Sequence, residues 1–158
     1  MKILVSGLIN IETTLKISHF PISYYPIDYP FFGIHSNVSG VGYNISRALC
    51  ALGNEAILVS YLGNDEEGER ILRCLADEGI SHKEIRRNLR AAPVSVVLYD
   101  GEGKRQIYCD LKDIQEQQLP AEELETALES CELVAACNIN FNRTLIRRAR
   151  ETHYSHHS

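Results

Sequence analysis

The chain has 158 residues, of which 44% are hydrophobic and 23% are charged, and this composition is typical of one soluble globular domain. Its formal net charge of −5 lacks the basic balance of a nucleic-acid-binding protein, so we expect no nucleic-acid partner. No apolar stretch approaches the ~20 residues of a membrane-spanning helix, so we expect no membrane partner either.

The cysteines indicate a reducing compartment. They number five, they are scattered along the chain, and they never form a Cys-x-x-Cys pair. This pattern predicts free thiols and a cytoplasmic location.

Short apolar runs predict strands that are buried on both faces. The first covers residues 3–5, and similar runs follow at residues 56–59 and 133–136. Amphipathic helices are predicted between and after these runs. Because strands alternate with helices, the sequence predicts β-α-β units and an α/β fold with a mainly parallel sheet.

Two of the predicted helices have clear ends. The first, rich in alanine and leucine, ends at Gly53. The second begins after Asp65, whose side chain suits an N-cap, and it ends at Gly79. Further helices are predicted around residues 124–128 and 145–149.

Two segments do not follow the alternation of strand and helix. Residues 11–38 contain prolines among many aromatic side chains, and residues 93–109 are typical of a hairpin that turns at residues 100–103. We expect both to form a small antiparallel β-lid over one side of the sheet. Residues 151–158 contain three histidines without apolar support, so a disordered tail is predicted there rather than a metal site.

Candidate binding residues follow the predicted strands. Ligands of an open parallel sheet bind beyond the carboxyl ends of its strands. The polar and glycine-rich positions there are Asn10, Glu12, Gly40, Gly42, Asn44, Asp65, Asn138 and Asn140. This mostly uncharged set suits the hydroxyls of a polyol better than a carboxylate or a bare metal ion. Structural alternatives stay open: the glycines can shape a tight loop, while Asn44 and Asp65 can cap helices.

The residues from Ser39 to Asn44, with the order Ser-Gly-Val-Gly-Tyr-Asn, begin a longer similarity. Ala48-Leu49, Leu52-Gly53, Leu62-Gly63-Asn64-Asp65 with Gly68, and Leu75 with Gly79-Ile80 continue it at the expected spacing. Together they resemble the first signature of the ribokinase-like (PfkB) carbohydrate kinases. The run Gly7 to Glu12 is similar to the opening strand and substrate turn of that family.

The resemblance implies a ribokinase-like fold, with a partial Rossmann-like core over residues 1–150 and a β-lid from about residues 11–38 and 93–109. It implies that Asn10, Glu12, Gly40, Gly42 and Asn44 bind the substrate, and we add Asn138 and Asn140 by their position after the last strand. The substrate would be a sugar or a nucleoside, and ATP and Mg²⁺ would serve the complete family enzyme. A homodimer through the lid or an exposed sheet edge is also implied.

The largest departure from the family is an absent motif. The Gly-Ala-Gly-Asp loop, which supplies the catalytic base and an anion hole in the family, does not occur in this sequence. We therefore assign no catalytic and no cofactor-binding residue. The chain is interpreted as the N-terminal, substrate-binding portion of a kinase, truncated and inactive on its own, with neither ATP nor Mg²⁺ bound strongly.

Two alternatives to a sugar kinase remain at this stage. A nucleoside kinase of the same fold would also bind ribose hydroxyls, and it would need an aromatic side chain such as Tyr43 or Tyr108 to stack on the base. A non-catalytic sugar-binding or dimerisation module could use the same pocket.

Overall fold

The strands of the described residues form two sheets. The computed structural model describes residues 1–155, which include eight strands: β1 (Lys2–Ser6), β2 (Asn10–Lys16), β3 (Ile34–Ser39), β4 (Glu55–Gly63), β5 (Ile85–Leu89), β6 (Val94–Tyr99), β7 (Arg105–Asp110) and β8 (Leu133–Ala136). The α-helices in this range are α1 (Val41–Ala51), α2 (Glu66–Asp77), α3 (Glu125–Ser130) and α4 (Asn142–Ser155). The first sheet has the order β5-β4-β1-β8 and the second has the order β3-β2-β6-β7.

The first sheet, which we call the core sheet, is parallel throughout and lies between two layers of helices. On one face, Ile3 and Val5 of β1 belong to a cluster with residues of α1 and α2. On the other face, Leu4 packs in a cluster with residues of α3 and α4. Each such side chain contributes about 1.5–3 kcal/mol when it is fully buried, so β1 is held from both sides. The predicted α/β fold with a parallel sheet is confirmed.

The second sheet, which we call the lid sheet, differs from the prediction in one respect. The pairs β2–β3 and β6–β7 are antiparallel, as predicted, but β2 and β6 pair in parallel. The reason lies in the connections, because β2 follows β1 and β6 follows β5. Since β1 and β5 run in the same direction in the core sheet, the strands that follow them, β2 and β6, enter the lid sheet in the same direction. The lid is therefore mixed rather than purely antiparallel.

Strand β5 was missed by the sequence prediction. Its residues Ile-Arg-Arg-Asn-Leu have no continuous apolar run, because β5 is the edge of the core sheet and its arginines face polar partners. Arg86 pairs with Glu123 at 3.0 Å, and Arg87 pairs with Glu69. The opposite edge strand, β8, has an apolar run at residues 133–136 and was predicted, but it is not buried on both faces as that run indicated, since Leu133 is 49% exposed.

The helices begin and end close to the predicted positions. Asp65 is the N-cap of α2 and its side chain accepts a hydrogen bond from the N–H of Gly68 at 3.1 Å. Helix α4 continues to Ser155, and so it enters the segment for which the sequence predicted a disordered tail. The rest of that tail, residues 156–158, lies outside the described residues. Over the described range, we find no helix of the length and apolar character that crossing a bilayer requires.

Candidate functional site

Three backbone segments meet at the carboxyl edge of the core sheet. The N–H of Gly42, at the start of α1, donates to the carbonyl of Leu8 at 2.9 Å, and the N–H of Cys137, just after β8, donates to the carbonyl of Ser6 at 2.8 Å. A Cβ added to Gly42 would lie 2.7 Å from the carbonyl carbon of Gly7. Only a glycine permits this approach, so Gly42 fits α1 against the end of β1.

Asn142 fastens the same edge from the side of α4. Its side chain is 1% exposed, and Nδ2 donates to the carbonyls of Ser6 at 2.9 Å and Cys137 at 2.8 Å. The hydroxyl of Ser6 donates in turn to Oδ1 of Asn142. Sequence reasoning used Asn142 only as the start of a helix. The sequence signal for this role is an asparagine that lies a few residues after an apolar strand and directly before an amphipathic helix.

The turn at Gly40 lies beside Asn10. Gly40 has φ +109°, and a Cβ on it would lie 2.5 Å from the carbonyl oxygen of Leu8. The preceding residue, Ser39, pairs with Asn10 across β2 and β3. Gly40 is the N-cap residue of α1, and no side chain caps this end of the helix. Asn44 lies inside the first turn with an exposed side chain, so it is not the capping residue.

Asn10 and Glu12 project from the same face of β2, since they are two residues apart in a strand. Asn10 is 4% exposed, and its Nδ2 donates to Oγ of Ser95 on β6 at 2.8 Å. Its Oδ1 is buried and has no hydrogen-bond partner among the described residues. Glu12 is half-buried and lies in register between Asn37 of β3 and Ser95 of β6. The lid therefore presents acceptor oxygens next to the Gly40 turn.

A groove of about 370 Å³ runs along the same edge. Its lining is mostly apolar and comprises Leu8, Val41, Ile45, Leu111, Gln115, Ala135, Ala136, Cys137, Asn138 and Ile139. Asn138 also lines an adjoining, more open groove together with Asn140 and Arg143. The amide of Asn140 donates to the carbonyl of Gln115 at 2.7 Å, which holds this side chain against the loop. Leu8, two residues before Asn10, lines only the first of these grooves, and the lining residues of the two grooves include neither Asn10 nor Glu12.

The thiol of Cys137 lies on the groove wall. Burial raises the pKa of this thiol, and a similar effect raises the pKa of the Cys131 thiol near the other end of β8. Both thiols therefore stay protonated at neutral pH and are poor nucleophiles. The groove presents hydrogen-bonding and apolar groups rather than an activated nucleophile.

Tyr43 does not reach the grooves. Its side chain is 3% exposed, and its hydroxyl donates to the carboxylate of Glu78 at 2.9 Å. The ring packs in the cluster between α1 and α2, so the idea that Tyr43 could stack on a nucleoside base is wrong. Tyr108 is 53% exposed on β7, in the lid sheet.

Asp65 has a structural role. One carboxylate oxygen caps α2, and the other accepts a hydrogen bond from the N–H of Ala92 at 2.8 Å. The structural alternative considered for this residue is confirmed, and Asp65 connects α2 to the segment that leads into the lid strand β6.

Comparison with solved structures identifies the fold. An acarbose kinase derived from a microbiome is similar with a TM-score of 0.84 and 20% identity, covering 96% of this chain and 50% of that one. A ribokinase from Giardia lamblia has a TM-score of 0.77 and 22% identity, over 95% of this chain and 47% of that one. A nucleoside kinase from Burkholderia thailandensis in complex with inosine has a TM-score of 0.63 and 16% identity, over 86% and 42% of the respective chains. The present chain spans about half the length of these three proteins.

The sequence comparisons identify the family. No curated protein matches the chain significantly. The model of the pfkB family carbohydrate kinases matches residues 2–154, which is nearly the whole chain. The predicted ribokinase-like resemblance is confirmed, and the chain belongs to the pfkB family of carbohydrate kinases.

Proposed function

We propose that this chain is the substrate-binding part of an ATP-dependent carbohydrate kinase. The observation that carries the proposal is the buried Oδ1 of Asn10, which has no hydrogen-bond partner among residues 1–155 and lies on the same strand face as the half-buried carboxylate of Glu12. An unpaired buried acceptor costs about 1–3 kcal/mol, so a ligand hydroxyl that donates to it is favoured. The carboxylate can accept hydrogen bonds from two further hydroxyls.

The other proposed substrate contacts lie on neighbouring elements. Gly40 forms the turn next to Asn10, Asn44 lies in the first turn of α1, and Asn138 and Asn140 line the more open groove. Gly42 enters the site in a different way from the sequence interpretation. Its N–H already donates to Leu8, so Gly42 shapes the turn and leaves recognition of the hydroxyls to its neighbours.

We propose that the chain alone does not transfer a phosphoryl group. In this family the sugar hydroxyl would attack the γ-phosphate of ATP, and such a reaction depends on positioning and on electrostatic stabilisation of the transferred group. The sequence has no Gly-Ala-Gly-Asp loop, and the described residues contain no group of three or more His, Cys, Asp or Glu that could hold a metal ion. We propose accordingly that this chain's contribution is to hold the acceptor sugar.

The binding proposal can be tested by isothermal titration calorimetry. The panel is D-ribose, D-fructose, inosine and acarbose, each titrated with and without ATP and Mg²⁺. We expect at least one sugar to bind without nucleotide. Glu12→Ala should abolish that binding while thermal unfolding stays nearly unchanged, since a partly exposed carboxylate adds little stability. Glu102→Ala is the matched control, because Glu102 is an exposed lid carboxylate in the β6–β7 turn. Unchanged binding by Glu12→Ala would remove this residue from the site.

The same titrations separate the alternatives. Selective binding of inosine favours a nucleoside kinase, which is consistent with the fold shared with the inosine-bound enzyme. Sugar binding without any response to nucleotide, and without turnover in a coupled assay for ADP, favours a sugar-binding unit that does not itself catalyse transfer, and binding of neither sugar nor nucleotide favours a dimerisation module. Turnover of any panel member by this chain would contradict the proposed inactivity.

We further propose a homodimer formed through the lid, and a cytoplasmic location. The lid presents an apolar surface on one face, consisting of Ile34, Val96 and Tyr108, which are exposed by 59%, 39% and 53%.

The proposed cytoplasmic location is supported by the five cysteines, which are free thiols and suit a reducing compartment.

A further inference from the structure

A single serine interrupts the apolar lid strand β6. Its neighbours are Val94, Val96, Val97 and Leu98, whereas Ser95 is 4% exposed and carries a hydroxyl into a buried position. That hydroxyl lies 2.8 Å from Nδ2 of Asn10. Ser95 also faces Glu12 in the register of β2 and β6. It is therefore the neighbour of both acceptor side chains on β2.

The hydrogen bond between these side chains fixes the amide of Asn10. Nδ2 can only donate, so Oγ of Ser95 accepts. Because Nδ2 and Oδ1 are bonded to the same carbon, holding one atom sets the direction of the other. Oδ1 is then the atom of Asn10 that remains without a partner in the described part of the chain.

Cohesion of the lid does not explain this pair. β2 and β6 are already joined by a parallel ladder from Ile11–Val94 to Lys16–Tyr99, and the N–H of Ile11 donates to the carbonyl of Pro93 at 3.1 Å. An apolar pair in the same position would be buried without leaving an unpaired acceptor. An unpaired buried oxygen is costly, and a ligand hydroxyl that donates to it removes that cost.

We propose, on the basis of the sugar-binding function proposed above, that Ser95 is a positioning residue. Its hydroxyl holds the side-chain amide of Asn10 so that Oδ1 accepts a hydrogen bond from a hydroxyl of the bound sugar. Ser95 thereby acts through Asn10, and Glu12 beside it supplies the second acceptor.

The first test needs no ligand. Side-chain amide signals of Asn10 are identified in ¹H–¹⁵N spectra by their loss in Asn10→Ala, and their hydrogen exchange is then measured. We expect about a tenfold faster exchange in Ser95→Ala, because the amide loses its bond, and exchange close to wild type in Ser95→Thr, which keeps the hydroxyl. Ser60→Ala is the matched control, since Ser60 is a fully buried serine of β4 whose hydroxyl has no partner among the described residues.

The second test uses calorimetry with the panel member that binds the wild-type chain most tightly. We expect the Kd to rise about tenfold in Ser95→Ala, as for loss of one ordered hydrogen bond, and to return to within about threefold of wild type in Ser95→Thr. Ser60→Ala should leave the Kd unchanged. A general loss of folding would alter all backbone signals, whereas the expected change is confined to the side chain of Asn10 and its surroundings.

The outcomes separate this proposal from the function on which it rests. Unchanged exchange of the Asn10 amide in Ser95→Ala overturns the positioning role, whatever the sugar affinity. Faster exchange with an unchanged Kd overturns its part in recognition and leaves the sugar site intact. Failure of the wild-type chain to bind any panel member overturns the proposed function, and the role of Ser95 toward a ligand falls with it.

Discussion

Gly42 occupies a point where the first carbon of any side chain would collide with another segment. A Cβ there would lie 2.7 Å from the carbonyl carbon and 2.8 Å from the carbonyl oxygen of Gly7. We expect Gly42→Ala to lower the free energy of unfolding by about 1–3 kcal/mol, because backbone rather than a flexible side chain must move. Urea denaturation followed by circular dichroism measures this change. Gly101→Ala is the control, since a Cβ on Gly101 meets nothing within 4 Å; equal losses in both variants would contradict the explanation.

Tyr43 gives the fold a dependence on alkaline pH. Desolvation by burial is the main cause that raises the pKa of its phenol, and hydrogen bonds to Cys74 and Glu78 add to the effect. The unfolded chain then loses the proton near pH 10 while the folded chain keeps it, so stability is complete below pH 10 and falls above it. Above pH 10, we expect the free energy of unfolding of the wild type to fall by up to about 1.4 kcal/mol per pH unit more than that of Tyr43→Phe. Urea unfolding at pH 8, 10 and 11 measures the difference; parallel pH profiles would show that Tyr43 does not titrate this way.

At the scale of single residues, the sequence predicts Asn10 and Glu12 as substrate contacts, which stays a prediction, and it does not reveal the hydrogen bond between Asn10 and Ser95. Asn10 and Glu12 were identifiable because polar residues directly follow an apolar strand at a carboxyl edge. Ser95 and Asn142 were missed because their roles depend on partners 85 and 136 residues away. A local pattern does not specify which distant strand a buried hydroxyl or amide will meet.

The carboxylate of Asp65 makes one hydrogen bond to α2 and one to the segment before β6, and substitutions can remove the two bonds separately. Its Oδ1 caps α2 through the N–H of Gly68, and its Oδ2 holds the N–H of Ala92 ahead of β6. Serine keeps a cap but lacks the second oxygen, so we expect Asp65→Ser to retain α2 and to release Ala92. Amide hydrogen exchange should become about tenfold faster at Ala92 in this variant, as for loss of one hydrogen bond, and change little at Gly68. Asp65→Ala should expose both amides; protection of Ala92 in Asp65→Ser would contradict the bond to Ala92.

Elements with a strong local pattern were predicted well, and those defined by pairing were not. The central strands have continuous apolar runs because both of their faces are covered, and α2 has its N-cap and apolar stripe in sequence. Strand β5 lies at an edge and contains two arginines, so its pattern is that of a surface segment. The parallel pairing of β2 with β6 follows from where both strands leave the core sheet, which alternation within either strand cannot reveal.

At the scale of the whole molecule, the lid has two different faces. The face with Asn10, Glu12 and Ser95 is polar near the core sheet and carries Val97 and Ile107 farther out, and residues of the opposite face alternate with them along each strand. The inner end of that opposite face is buried through Ile11 in the core cluster, while Ile34, Val96 and Tyr108 lie farther out and remain exposed. One sheet therefore carries the proposed sugar contacts on one side and the proposed dimer surface on the other.

This two-sided lid predicts that dimerisation and sugar binding can be disrupted separately. We expect the wild type to sediment as a dimer at tens of micromolar, and Val96→Glu to sediment as a monomer, because burying a charge in an apolar interface without a partner is strongly unfavourable. Ile107→Glu is the matched control: Ile107 is 47% exposed on the neighbouring strand, but its register with Val97 places it on the other face. Sedimentation velocity measures the state of association, and calorimetry with the best panel member should give the same Kd for Val96→Glu as for wild type. A monomeric wild type would contradict the proposed lid interface, and so would a dimer of Val96→Glu. A loss of sugar binding in Val96→Glu would contradict the independence of the two faces of the lid.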